Sequence, residues 1–211
     1  METPKWIDIT TGIQESTPVW PGDPAPIITL LASYAAGDDY QLSEAFFGLH
    51  TGTHIDAPLH FIPESKDISM LSTEKMLGTV RVLDATDCKM ITAEWLSNRE
   101  IQQGERLIFK TLHYPLKNAV NYQAQFTALE LTAARFLAGQ HIQLVGIDGL
   151  SIAVSEYLRE VHVALLMEEI IIVENLNLEE IEEGIFEMIC LPIKISEAEA
   201  APARVLLRKI P

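Results

Sequence analysis

The chain has 211 residues, 48% of them hydrophobic, and a formal net charge of −15. The acidic balance excludes a nucleic-acid binder, which needs a basic footprint to displace phosphate counterions. The apolar content excludes a disordered chain and suits a single globular domain over 1–211 with a substantial core.

The opening stretch METPKWIDITTG has no basic start followed by an apolar run, so no secretory leader is expected. WIDITTGI (6–13) predicts a first strand. TPVWPGDPAP (17–26) carries four prolines and a Gly-Asp pair, which predicts a stiff loop. That loop holds an aromatic, Trp20, which its own packing does not require. APIITLLASY (25–34) predicts a second strand. EAFFGLHTGTHIDA (44–57) alternates small or apolar residues with polar ones, as an extended segment does.

GTVRVLDAT, RLIFKTL, IQLVGIDG, EEIIIVEN and FEMICLPIKI are each rich in Val, Ile or Leu and bounded by turn residues, so each predicts a strand. ARVLLRKI (203–210) is expected to close the sheet. Helices are expected at TAEWLSNR, at TALELTAARFLAG and at SEYLREVHVALLM. The second has a capping pattern in Thr127 and Glu130, with Gly139 as a left-handed stop. Strands outnumber helices, and most connections are too short for repeated crossover helices. The fold class expected is mixed α/β with largely antiparallel pairing, not a doubly wound sheet.

Apolar runs such as IIIV are too short to span a bilayer, so no membrane partner is expected. Cys88 and Cys190 are isolated and read as free thiols of a reducing compartment, which predicts a cytoplasmic protein. The acidic run MEEIIIVENLNLEEIEEGIFE reads as a solvated face, Glu174 excepted.

LHTGTHIDAPLHF (49–61) packs three histidines and an aspartate around a glycine and a proline. Thr51, Gly52, Thr53 and Pro58 oppose a helix. In an extended segment His50, His54, Asp56 and His60 share parity and face one side. Gly52 lies on that side, and its missing side chain leaves room for a ligand. Imidazoles plus a carboxylate suit Zn²⁺, Mn²⁺ or Fe²⁺, and three protein ligands leave open positions for water.

Two further donors are less defined. His162, in the third helix, reads alone as a packed or capped histidine. Glu174 follows an apolar strand and is either a part-buried carboxylate needing a partner or a solvated strand end. In GIDGLS, three roles are open to Asp148: substrate binding, orientation of a histidine, or a turn cap.

HTGTHIDAPLHF resembles, without mismatch, the His-x-Gly-Thr-His-x-Asp-x-Pro-x-His motif of the metal-dependent cyclase family, which includes bacterial kynurenine formamidases and isatin hydrolases. TPVWPGDP, GIDGLS, IIVENLNL and LPIKI…APARVLL are similar to further family segments, in the family's order. The resemblance implies a β/β/α fold around a small barrel-like sheet, assembled as a homodimer or higher homo-oligomer. It implies His50, His54 and Asp56 as metal ligands, and His162 and Glu174 as ligands of a second ion. It implies His60 as the catalytic acid/base and Trp20 as an aromatic that stacks on substrate. Zn²⁺ is the ion expected first, as one or two ions, with Mn²⁺ as the alternative. The chain departs from the formamidases after Ser151, where Ile152 and Ala153 stand and an acidic residue is usual two positions on.

The function expected is hydrolysis of a small-molecule amide by metal-activated water, first as an arylformamidase acting on N-formylkynurenine. A hydrolase of a cyclic amide such as isatin is the close alternative. A metal-carrying binding protein without turnover is the alternative of another class.

Overall fold

In the computed structural model, residues 5–111 and 126–210 are described. The first four residues of the opening stretch and Leu112 at the end of RLIFKTL lie outside them. The Val-, Ile- and Leu-rich runs form β1 (Ile7–Asp8), β2 (Ile27–Ala32), β3 (Leu42–Phe46), β4 (His54–Asp56) and β5 (Leu77–Asp84). They continue as β6 (Arg106–Lys110), β7 (Leu144–Ile147), β8 (Ile171–Glu174), β9 (Gly184–Pro192) and β10 (Ala200–Lys209). Among the described residues the α-helices are α1 (Ala93–Ser97), α2 (Leu131–Gly139) and α3 (Leu158–Leu166).

Seven strands close into a ring in the order β10, β4, β8, β7, β6, β5, β9 and back to β10. The C-terminal strand closes it, as ARVLLRKI predicts. Residues 203–209 of β10 pair with β9 and residues 200–202 pair with β4, while β1 adds outside at Leu206 and Leu207. β5, β6, β7 and β8 run parallel, and the remaining pairings of the ring are antiparallel. Each parallel step carries a helix in its connection: α1 between β5 and β6, α2 between β6 and β7, α3 between β7 and β8. Crossover helices are therefore used along this run, where short connections were expected, because parallel neighbours need a long return path.

Alternation along the strands sorts the core into two layers. Val80 and Val82, Ile108, Leu144, Ile171 and Val173 fill the interior of the ring. β9 and β10 complete that interior with Met188 and Val205. Leu83, Phe109, Val145 and Ile172 point the other way, against Leu137 of α2 and Val161 and Leu165 of α3. β2 and β3 form a separate antiparallel hairpin that exposes Ile27, Leu30, Leu31 and Phe46. No helix among the described residues is long and apolar enough to cross a membrane.

Two expected helix signals act differently. Thr127 does not cap α2: its hydroxyl donates to the Cys88 carbonyl at 2.7 Å. Residues 128–130 are instead drawn into extended pairing with Ile91, so α2 starts after Glu130, which makes no side-chain cap. Gly139 stays helical, and the left-handed residue is His141 (φ 47°).

Gly146 lies on the interior side of β7. A Cβ there would sit 3.0 Å from Leu176 Cδ1 and 3.1 Å from Ile108 Cγ1. Gly146→Val overpacks the ring and is expected to cost about 1–3 kcal/mol, measured as a lower midpoint in urea unfolding.

Candidate metal centre

The path through residues 48–60 is not the continuous extended segment expected. Residues 48–53 turn, with the Thr51 amide donating to the Gly48 carbonyl at 3.0 Å and Gly52 at φ +66°. Only residues 54–56 are strand, and Pro58–His60 form a turn of 3-10 helix. Gly52 also serves another purpose than the one expected. A Cβ there would meet the Thr11 carbonyl oxygen at 2.9 Å and Ile13 at 3.1 Å. The glycine admits the N-terminal segment, and Thr53 locks it: the Thr11 amide donates to Thr53 Oγ1 at 2.7 Å, and that hydroxyl donates to the Asn175 carbonyl at 2.6 Å.

Convergence survives because strand parity does part of the work. Ile55 points into the ring, so His54 and Asp56 point out of it, toward α3. β8 pairs antiparallel with β4 and sets Glu174 opposite His54. α3 crosses the same outer face and brings His162, which is buried. His60 arrives from the 3-10 turn, with its ring 4.3 Å from that of His50 and 5.8 Å from that of His162.

Asp56 is the hub. Its Oδ1 lies 3.0 Å from His50 Nδ1 and 3.4 Å from His54 Nε2, and its Oδ2 lies 3.5 Å from His162 Nε2. Glu174 Oε2 is 3.4 Å from His54 Nε2, and Oε1 is 3.3 Å from His162 Nε2. Two donor groups result, one of His50, Asp56 and His60 and one of His54, Asp56 and Glu174, each with ligand atoms within 4.8 Å of one another. Asp56 belongs to both.

The outer contacts orient these donors. His54 Nδ1 lies 2.9 Å from the Gly52 carbonyl, and His162 Nδ1 lies 2.7 Å from the Leu158 carbonyl. A carbonyl only accepts, so each Nδ1 carries the proton and each Nε2 turns a lone pair inward. Those lone pairs face carboxylates, which is repulsive unless a proton or a cation lies between. His54 Nε2 and both carboxylate oxygens of Asp56 are buried without a hydrogen-bond partner. Orphaned buried atoms of this kind are costly, and a cation is a partner that would satisfy them together. The donor set, imidazole nitrogens and carboxylate oxygens, fits a divalent cation.

The charges respond in the same sense. Burial alone would depress the His54 and His162 imidazoles, but Asp56 and Glu174 outweigh it and raise each to about 10. Burial would raise Asp56, yet His50, His162 and His54 hold it well below the usual carboxylate range. Burial and Asp56 both push Glu174 up, and His162 and His54 bring it down to about 2. His60 differs: burial takes it below its ordinary value despite the pull of Asp56.

A cavity of about 150 Å³ opens over the cluster, lined by His50, His60, His162 and Glu174. Phe61, Leu150 and Leu158 wall it, and Trp20 and Asp23 reach it from the proline-rich loop. The structure thus brings together His50, His54, Asp56, His60, His162, Glu174 and Trp20, all the candidates of the sequence. Glu174 is buried, not a solvated strand end.

Several contacts lay outside the sequence reading. Ser151 donates to Glu174 Oε1 at 3.1 Å and the Ile152 amide does so at 2.6 Å, so the end of GIDGLS and the residue after it orient the Glu174 carboxylate. Asp148 accepts from the Thr111 amide at 3.1 Å and from its hydroxyl, tying the end of β7 to the end of β6. Glu199 Oε1 stands 3.6 Å from His50 Nε2. The GIDGLS turn after an apolar strand was the only local signal for any of these.

A family model described as "Putative cyclase" matches residues 7–154. The chain is 30% identical to a kynurenine formamidase of Bacillus anthracis over 211 residues, covering all of both proteins. A structure described as a predicted metal-dependent hydrolase from Bacillus stearothermophilus superposes with TM-score 0.85 at 32% identity, covering 98% of each chain. An isatin hydrolase bound to the product analogue thioisatinate has the same fold, with TM-score 0.86 at 20% identity over 96% of this chain and 91% of that one.

A cation held by this cluster would displace the protons that Asp56 and Glu174 favour on His54 and His162. Zn²⁺ titration of the metal-free protein is therefore expected to release protons, read by calorimetry in buffers of differing ionisation enthalpy. Affinity is expected to weaken as pH falls from about 8 to about 6, because protons then compete better. Gly52→Ala places a side chain at positive φ against the Thr11 carbonyl. It is expected to cost about 1–3 kcal/mol in thermal or urea unfolding and to lower the bound-metal stoichiometry.

Proposed function

The chain belongs to the cyclase family, and from that premise we propose that it is a metal-dependent amidohydrolase of the arylformamidase type. Its substrate on this reading is N-formylkynurenine, hydrolysed to kynurenine and formate. The observation that carries the proposal is Asp56, a buried carboxylate shared by two donor groups, beneath a cavity with an aromatic wall. His50, His54 and Asp56 would hold one divalent ion, Zn²⁺ first and Mn²⁺ second, and His162 and Glu174 with Asp56 would hold another. When bound, such a cation supplies Lewis acidity and makes hydroxide available near neutral pH.

The chain's own residues perform the rest. His60 is half-buried at the cavity and, with its affinity for protons depressed by burial, is neutral near pH 7. It can take the proton of the attacking water and return it to the departing nitrogen, as general base and then general acid. The aryl amine leaves with that proton, and the carbonyl carbon keeps the water oxygen as a carboxylate. Trp20, Phe61 and Leu158 exclude water and hold an aryl ring by stacking and apolar contact. Ser151 and the Ile152 amide fix Glu174 while charge shifts beside it.

Cys88 and Cys190 are free thiols, in keeping with the cytoplasm. The exposed apolar face of β2 and β3 favours a homodimer or larger homo-oligomer. Hydrolysis of a cyclic amide such as isatin is the second reading, favoured by the shared fold with an isatin hydrolase.

Protein loaded with Zn²⁺ or Mn²⁺ is expected to release formate from N-formylkynurenine and to place one oxygen of labelled water in it. His60→Ala is expected to retain metal and to lose about 10²–10⁴-fold in kcat. Metal binding without turnover, indifferent to His60→Ala, would leave a metal-carrying protein as the better account.

A further inference from the structure

The cavity holds one acidic side chain that the metal chemistry does not use. Asp23 lines it together with Trp20, at the side formed by the proline-rich loop. A tight turn positions both. The Asp23 amide donates to the Trp20 carbonyl at 3.0 Å, Pro21 takes the second position and Gly22, at φ +101°, takes the third. This is the pattern of a type II turn, which brings its first and fourth residues within about 7 Å. Pro18, Pro24 and Pro26 stiffen the flanks, and Thr17 anchors the loop by donating to the Gly12 carbonyl at 3.0 Å. An aromatic face and a carboxylate are thus held at a set spacing over the donor cluster. Among the described residues no hydrogen bond or ion pair engages the Asp23 carboxylate, and the residue is exposed. A cation is the ligand this group would recognise, and the net charge of −15 adds a field of the same sense.

We infer that Asp23 is a specificity residue that selects aryl amides bearing a primary ammonium on a short arm beyond the ring. This inference rests on the arylformamidase reading. With the ring against Trp20 and the scissile amide over the donor cluster, an ammonium on a three-carbon arm is directed to the side of the cavity that Trp20 and Asp23 share. A neutral cyclic amide gains nothing from this carboxylate, and its carboxylate product is repelled by it. Asp23 therefore separates the two substrate classes that the fold alone leaves together.

The test uses the metal-loaded full chain and two matched formamides, N-formylkynuramine and 2′-formamidopropiophenone, which differ by the amine. The wild type is expected to prefer the amine-bearing substrate in kcat/KM. Asp23→Asn is expected to cut that preference about tenfold, mainly through KM, and Asp23→Glu to recover part of it. An unchanged preference overturns the inference. Binding of the matched products, kynuramine and 2′-aminopropiophenone, is measured by calorimetry in parallel and needs no turnover. If the wild type hydrolyses neither formamide but favours kynuramine, and Asp23→Asn abolishes that preference, the formamidase reading falls and the role of Asp23 stands. Equal affinity for the two ligands, or none for either, removes the role of Asp23 whatever the activity.

Discussion

The structure depends on one buried negative charge. Asp56 is 1% exposed and sits among three imidazoles, with both oxygens lacking hydrogen-bond partners. A carboxylate in that position is far too costly to leave uncompensated. Protons on His54 and His162 are one compensation, and a divalent cation is the stronger one. The local structure is arranged around this need. Gly52 and Leu158 lend carbonyls that fix the histidine tautomers, while Ser151 and Ile152 hold one oxygen of Glu174 in place.

The ring contributes through geometry. Interior strand positions are filled mostly by Val, Ile, Leu and Met, with Phe186, Cys190 and small alanines among them, and no charged group. Outer positions of β4 and β8 are thereby free to carry donor groups, and the antiparallel register sets His54 against Glu174. The crossover that makes β7 and β8 parallel also lays α3 across this face and delivers His162. The second donor pair is therefore a consequence of topology.

This explains what could be read from the chain before the fold was known. His50, His54, Asp56 and His60 lie within eleven positions, and donors that dense betray a metal chemistry without any tertiary knowledge. The strands were legible as β-branched runs between turn residues, and the closing role of ARVLLRKI followed from its place at the end. The turn at Gly52 was not legible, because alternation through residues 44–57 mimics a strand until the contact with Thr11 breaks it. Thr127 carried a capping signature, yet a pairing with Ile91 claimed its neighbours first. His162 and Glu174 were ambiguous alone because the partner of each is supplied by chain closure over long separations. Asp23 gave no signal at all, since a solvated aspartate in a proline-rich turn is common.

The reactive pocket lies outside the ring, not within its lumen. The packed interior that sustains folding and the surface that meets substrate thus share a wall but few side chains. Residues 17–26 line that pocket through Trp20 and Asp23 and belong to neither apolar cluster of the core. Such a separation makes a lineage evolvable: one cation-holding frame can be retuned to new amides by changes in the proline-rich loop, with the packed interior of the scaffold left as it is.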